Sequence, residues 1–132
     1  MKEIYFDHSA TTRTDERVVK KMLPYFTEIY GNANSQHKYG RDAMEAVDEA
    51  RDKIANLLGA KPSEIYFTSG GTEADNWTLR GVCEALKGKG KHVIITKIEH
   101  AAMLSTAKEL EKDGFEFTYL SVDSEGFIDL DE

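Results

Sequence analysis

The feature that most constrains this chain is the alternation of strand-like and helical segments through its second half. A short turn at Pro62-Ser63 leads into Glu64 to Thr68, a β-prone run. The polar stretch Ser69-Gly70-Gly71-Thr72 follows, and then a helical pattern over roughly Glu73 to Leu86. After a glycine-lysine loop, His92 to Thr96 carries the continuous apolar run Val93-Ile94-Ile95, the signature of a strand covered on both faces. Ala101 to Lys112 has Leu104, Ala107 and Leu110 at helical spacing, with Asp113-Gly114 as its stop. Phe115 to Val122 alternates Phe115, Phe117 and Tyr119. This order predicts an α/β fold with mostly parallel strands flanked by helices. Three strands are few for a self-sufficient doubly wound sheet, and the tail reads as though another helix were starting, so an incomplete domain is expected.

The first part of the chain is helical. A β-prone run at Glu3 to Phe6 enters the polar loop Asp7-His8-Ser9-Ala10-Thr11-Thr12. Thr14 or Asp15 can cap the helix that follows. Val18, Val19, Met22, Leu23, Phe26, Ile29 and Tyr30 recur at helical spacing, Pro24 predicts a kink or two pieces, and Gly31 is the expected end. Arg41 to Leu58 is the clearest helix, with Ala43, Ala46, Val47, Ala50, Ile54, Leu57 and Leu58 on one face and Gly59 as the stop. Residues 1–40 thus form an arm and helix, and residues 41–132 a helix-strand-helix-strand-helix-strand series.

Composition removes several function classes. The net charge of −7 leaves no basic cluster for phosphate backbones or anionic membranes. No apolar run reaches the length of a membrane span, and the start lacks a signal-peptide core. One cysteine, Cys83, allows no internal disulfide, which points to a reducing, cytoplasmic setting. Cys83 sits mid-helix among apolar residues, the position of a buried, inert thiol. The sequon Asn76-Trp77-Thr78 has no secretory context. His8, His37, His92 and His100 lack metal-ligand spacing, so no metal site is expected.

Four short motifs remain. Thr68-Ser69-Gly70-Gly71-Thr72-Glu73 joins a strand end to a helix start, where unpaired N–H groups and the helix dipole favour an anion. Glycines open the backbone to a phosphate, and Ser69 and Thr72 add hydroxyls. The same residues also fit a plain tight turn capped by Thr72. No Gly-Lys-Ser/Thr follows, so this is not a P-loop. Ile98-Glu99-His100 follows the strand ending at Thr96, on the rim where open α/β sheets gather ligands. His100 there suits stacking on an aromatic cofactor or proton transfer, and equally a helix cap. Gly31-Asn32-Ala33-Asn34-Ser35-Gln36-His37, with Gly40-Arg41, and the opening Asp7 to Thr12 read locally as ordinary polar loops.

In this order and at these separations the four motifs resemble those of the NifS/IscS cysteine desulfurases. Tyr5 to Thr12 is similar to that family's start, and Gly31 to His37 to its Gly-Asn-Pro-Ser-Ser-x-His loop, departing at Ala33 and Asn34. Thr68 to Glu73 matches its phosphate-binding turn and Glu99-His100 its Glu-His pair. The resemblance covers essentially the whole chain. It implies an aminotransferase-like fold of type I, normally homodimeric, present here as the amino-terminal third. It implies pyridoxal 5'-phosphate as cofactor, with Gly71 and Thr72 on its phosphate through backbone N–H groups and the Thr72 hydroxyl. His100 is implied to stack on the pyridine ring and assist proton transfer. The implied substrate is L-cysteine, whose sulfur passes to an enzyme thiolate while alanine leaves, and then to a sulfur-acceptor protein for iron–sulfur assembly or thiolation. The family's Schiff-base lysine, pyridine-nitrogen aspartate, carboxylate-binding arginine and catalytic cysteine belong to later motifs not found in these 132 residues. The chain alone is therefore expected to be inactive and to need self-association or a complementing carboxy-terminal chain. Two other readings fit: a non-catalytic module that keeps the phosphate-binding turn, and a selenocysteine lyase or related lyase.

Overall fold

The structure, a computed structural model, describes residues 3–131. It divides into two compact units, residues 1–66 and 67–132.

The first unit is helical. Asp15 caps α1 (Glu16–Met22), its carboxylate accepting the Arg17 N–H at 2.8 Å. Pro24 then opens a separate short helix, α2 (Pro24–Thr27), as its missing N–H and fixed φ favour. That helix closes at Thr27, ahead of the Gly31 stop that periodicity suggests. Helix α3 (Lys38–Leu58) begins three residues before Arg41 and ends on Gly59 at φ +66°. The preceding loop packs closely against this early first turn: a Cβ at Gly40 would lie 2.0 Å from the Ser35 carbonyl oxygen. Only glycine allows the preceding loop to close so tightly on the first turn. Ala43 and Ala55 are buried, whereas Leu57 and Leu58 on the expected apolar face are exposed.

A 3-10 turn at Pro62–Glu64 follows, and Ile65 is extended. The strand expected at Glu64 to Thr68 is not in the sheet, which among the described residues holds two strands. β propensity describes fitness for a sheet surface, and a strand needs a neighbouring edge to become one.

The second unit contains α4 (Gly71–Leu86), β1 (His92–Thr96), α5 (Ala101–Lys112) and β2 (Glu116–Leu120). β1 and β2 pair in parallel, from His92 opposite Glu116 to Thr96 opposite Leu120, with α5 as the crossover. Leu79, Cys83, Ile95, Ala107, Leu110 and Phe115 form the core, with Val93, Phe117 and Tyr119 packed against it. Burial raises the Cys83 thiol pKa, in keeping with an inert cysteine. Helices cover one face of this sheet. Ile94 is 59% exposed on the other, so the two-sided burial expected of the Val93-Ile94-Ile95 run is realised on one side.

Candidate functional site

The site lies in the second unit, where the amino-terminal ends of α4 and α5 approach one cleft of about 420 Å3. Thr72, Asn76 and Arg80 line it from α4, and His100, Ser105 and Glu109 from the α5 side. Thr72 and His100, 28 positions apart in sequence, thus share one cavity. Gly71 is the first residue of α4, next to Thr72, and is not itself among the lining residues.

Helix α4 starts at Gly71, so the N–H groups of Gly71, Thr72 and Glu73 have no carbonyl partner within the helix. The first internal bond is Ala74 N–H to the Gly70 carbonyl at 3.1 Å. Nothing lies within 4 Å of a Cβ built on Gly70 or Gly71. Glu73 folds back over the preceding residue, accepting the Ser69 N–H at 2.6 Å and the Ser69 hydroxyl at 2.7 Å. Those two bonds hold its carboxyl below the usual value of 4.5. The Ser69 hydroxyl, read from sequence as a second donor toward an anion, is therefore turned to Glu73. Thr72 lines the cleft.

His100 caps α5. Its Nδ1 accepts the Ala102 N–H at 3.2 Å. An accepting Nδ1 carries no proton, so the neutral ring bears its proton on Nε2. Capping and a place on the cleft are thus two properties of one side chain. Its neighbour Glu99 accepts the Thr96 hydroxyl at 3.0 Å and ties the strand end to the loop. At the far end of the cleft, the Lys112 ammonium holds the Glu109 carboxyl below its usual value, with a smaller contribution from Arg80.

Asn76 has no assigned role in the sequence reading beyond its sequon. In the structure its Nδ2 donates to the Thr72 carbonyl at 2.9 Å and its Oδ1 accepts the Thr106 hydroxyl at 2.6 Å. The first partner was accessible from the four-residue helical spacing. The second lies 30 positions away on α5 and has no local signature.

The other two motifs belong to the first unit. In the opening loop the Ala10 N–H reaches the Asp7 carbonyl at 3.2 Å and the Thr12 hydroxyl reaches the His8 carbonyl at 3.1 Å. In the second loop Asn32 Oδ1 accepts the Asn34 N–H at 2.9 Å and the Gln36 carbonyl accepts Arg41 Nη1 at 2.6 Å. Both are defined turns rather than loose linkers.

Residues 4–132 match the protein family described as aminotransferase class-V. The chain belongs to the class-V aminotransferase family. Cysteine desulfurase IscS of Clostridium botulinum (strain Kyoto / Type A2) is 50% identical over 131 residues, which is 99% of this chain and 33% of that relative. Cysteine desulfurase IscS of Neisseria meningitidis serogroup A is 52% identical over 130 residues, 98% of this chain and 32% of the relative. The solved structure of a NifS-like protein matches 97% of this chain and 35% of its own, at 45% identity and a TM-score of 0.91. That of SspA in complex with cysteine matches 95% of this chain and 36% of its own, at 36% identity and a TM-score of 0.87. This class-V aminotransferase chain therefore spans about a third of the length of the curated relatives it matches. The α/β character and the parallel strands agree with those class-V structures.

Class-V aminotransferases are pyridoxal-phosphate-dependent in general. The residues present here fit the phosphate end of such a group: the first-turn N–H groups of α4 are open, and no side chain crowds Gly70 or Gly71. Among the described residues no cluster of His, Cys, Asp or Glu could hold a metal ion. No helix is long and apolar enough to cross a membrane among those residues.

Proposed function

We propose that this chain is the amino-terminal portion of a cysteine desulfurase and supplies part of its pyridoxal 5'-phosphate site. The observation that carries the reading is the shared cleft of Thr72 and His100 beside the open first turn of α4. Relatives named cysteine desulfurase at 50% identity and more supply the substrate class, L-cysteine.

In this reading residues 1–40 are an arm and helix, and residues 41–132 the first part of the cofactor-binding domain. The N–H groups of Gly71 and Thr72 and the Thr72 hydroxyl bind the phosphate, aided by the partial positive charge of the α4 start. His100 stacks on the pyridine ring. Because Nδ1 is committed to Ala102, Nε2 is the atom from which His100 gives up a proton. When bound, the cofactor supplies an electron sink for chemistry at the substrate amino acid. These 132 residues contain neither the family's lysine motif nor its catalytic cysteine loop, and Cys83 is buried in the core, so the chain alone does not desulfurate cysteine. Those groups come from a longer polypeptide or a complementing chain, acting as a homo-oligomer in the cytoplasm and passing sulfur to an acceptor protein.

The test is a 1H–15N NMR titration of the chain with pyridoxine 5'-phosphate, which lacks the aldehyde and forms no lysine adducts. The expected result is a concerted shift of the Gly71 and Thr72 amides and the His100 ring, weakened about tenfold in Thr72→Ala. Unchanged Gly71 and Thr72 signals at millimolar ligand would overturn the reading, as would alanine release from cysteine by this chain alone.

A further inference from the structure

We propose that Asn76 is a positioning residue that sets the distance between the phosphate-binding turn and His100, by clamping α4 to α5 through the buried Thr106 hydroxyl. The inference rests on the cofactor reading above and adds to it a residue that touches neither the phosphate turn's N–H groups nor the ring.

The clamp is built from two directional bonds. The Thr72 carbonyl can only accept, so the Asn76 amide must present Nδ2 to it, at 2.9 Å. That choice turns Oδ1 toward Thr106, whose hydroxyl donates at 2.6 Å. Thr106 is 2% exposed and lines the cleft beside Asn76, so in the intact chain its hydroxyl is satisfied by this one bond across the helices. Both ends of the amide are thus committed.

Beyond this bond, the α4–α5 contact is mainly the apolar packing of Leu79, Cys83, Ala107 and Leu110, with Arg80 acting on Glu109 only through its charge. Apolar contact is non-directional and tolerates small axial slips. A short hydrogen bond does not. Asn76 lies one helical turn, about 6 Å, from Thr72, and Thr106 lies about 9 Å along α5 from His100. The bond therefore fixes register close to both functional ends, and a slip of either helix would move His100 relative to Thr72 across the cleft.

The experiment compares two probes on the full chain, pyridoxine 5'-phosphate and inorganic phosphate, in wild type, Asn76→Ala, Thr106→Val and Thr106→Ser. Inorganic phosphate needs only the turn; pyridoxine 5'-phosphate needs the turn and the ring at the right separation. The expected result in Asn76→Ala and Thr106→Val is unchanged phosphate affinity. Pyridoxine 5'-phosphate affinity should fall about 3- to 10-fold, with loss of the His100 ring shift. Thr106→Ser, which keeps the hydroxyl, should restore both. Equal loss of the two ligands would reduce Asn76 to shaping the turn, and unchanged pyridoxine 5'-phosphate binding in folded Thr106→Val would remove the clamp; either overturns the proposal. A wild-type chain that responds to neither probe at Gly71 and Thr72 is the separate signature of failure of the cofactor reading itself, and the clamp falls with it.

Discussion

Helices α1 and α5 both begin on a side-chain cap, Asp15 for one and His100 for the other, and both carry an apolar stripe. α5 sinks Ala107 and Leu110 into a core shared with β1 and β2. α1 leaves Val18, Val19 and Met22 in solvent. The same contrast separates the two units. Residues 67–132 close a core around themselves, whereas the residues buried in the helices of the first unit are the small Gly40, Ala43 and Ala55. Helix formation is settled by caps and hydrogen bonds within a few residues, but burial needs a partner surface. A stripe in the sequence announces that a face is meant to be covered and says nothing of what covers it.

This contrast can be broken by substitution. The largest effect is expected for Leu110→Ala, which empties a filled position and should cost about 2–5 kcal/mol in urea unfolding followed by circular dichroism. A cost near zero would mean that the second unit has no real core. Glycines give the next test. Gly40→Ala drives a Cβ against the Ser35 and Asn32 carbonyls and should destabilise the first unit by about 1–3 kcal/mol. Gly81→Ala in α4 meets nothing within 4 Å, so it should stabilise by about 0.5–1 kcal/mol. The opposite signs separate a glycine required by contact from one merely tolerated in a helix. Leu57→Ala, at a residue 85% exposed, should stay within about 0.5 kcal/mol; a loss comparable to that of Leu110→Ala would erase the distinction between the units.

The smallest effect concerns pH. Ser69 holds the Glu73 carboxyl below its ordinary value of 4.5 in the folded chain. Its contribution to stability is fully present above the unfolded value and is lost as pH falls through the lower folded one. Glu73→Gln should flatten that acid-side slope while leaving stability at neutral pH nearly unchanged, because the carboxylate is solvent-exposed. A carbon-detected titration of Glu73 that returns an ordinary midpoint would refute the Ser69 contact.

Much of this architecture is legible from residues alone, for reasons that follow from locality. The spans of β1 and α5, the Asp15 cap, the break at Pro24 and the Gly59 stop are all set within one or two turns of chain. Glu64 to Thr68 misleads because strand residues are defined by a partner that propensity cannot name. At the site, Thr72 and His100 are legible as helix-start and strand-rim residues, and their meeting in one cleft follows from the crossover. The Ser69 hydroxyl's turn to Glu73 is local but ambiguous in sequence, since the same hydroxyl suits an anion. The Asn76–Thr106 bond is not legible at all: it joins two helices, and neither residue type is unusual where it stands.

The burial of Cys83 gives the molecule an internal clock. It is the chain's one cysteine, it sits in the core of residues 67–132, and its raised pKa keeps the thiolate scarce while that core is closed. Alkylating reagents attack the thiolate. Their rate on the native chain therefore counts excursions in which the core of residues 67–132 opens. One reagent and one mass measurement would time the opening of half the protein without a label having to be introduced.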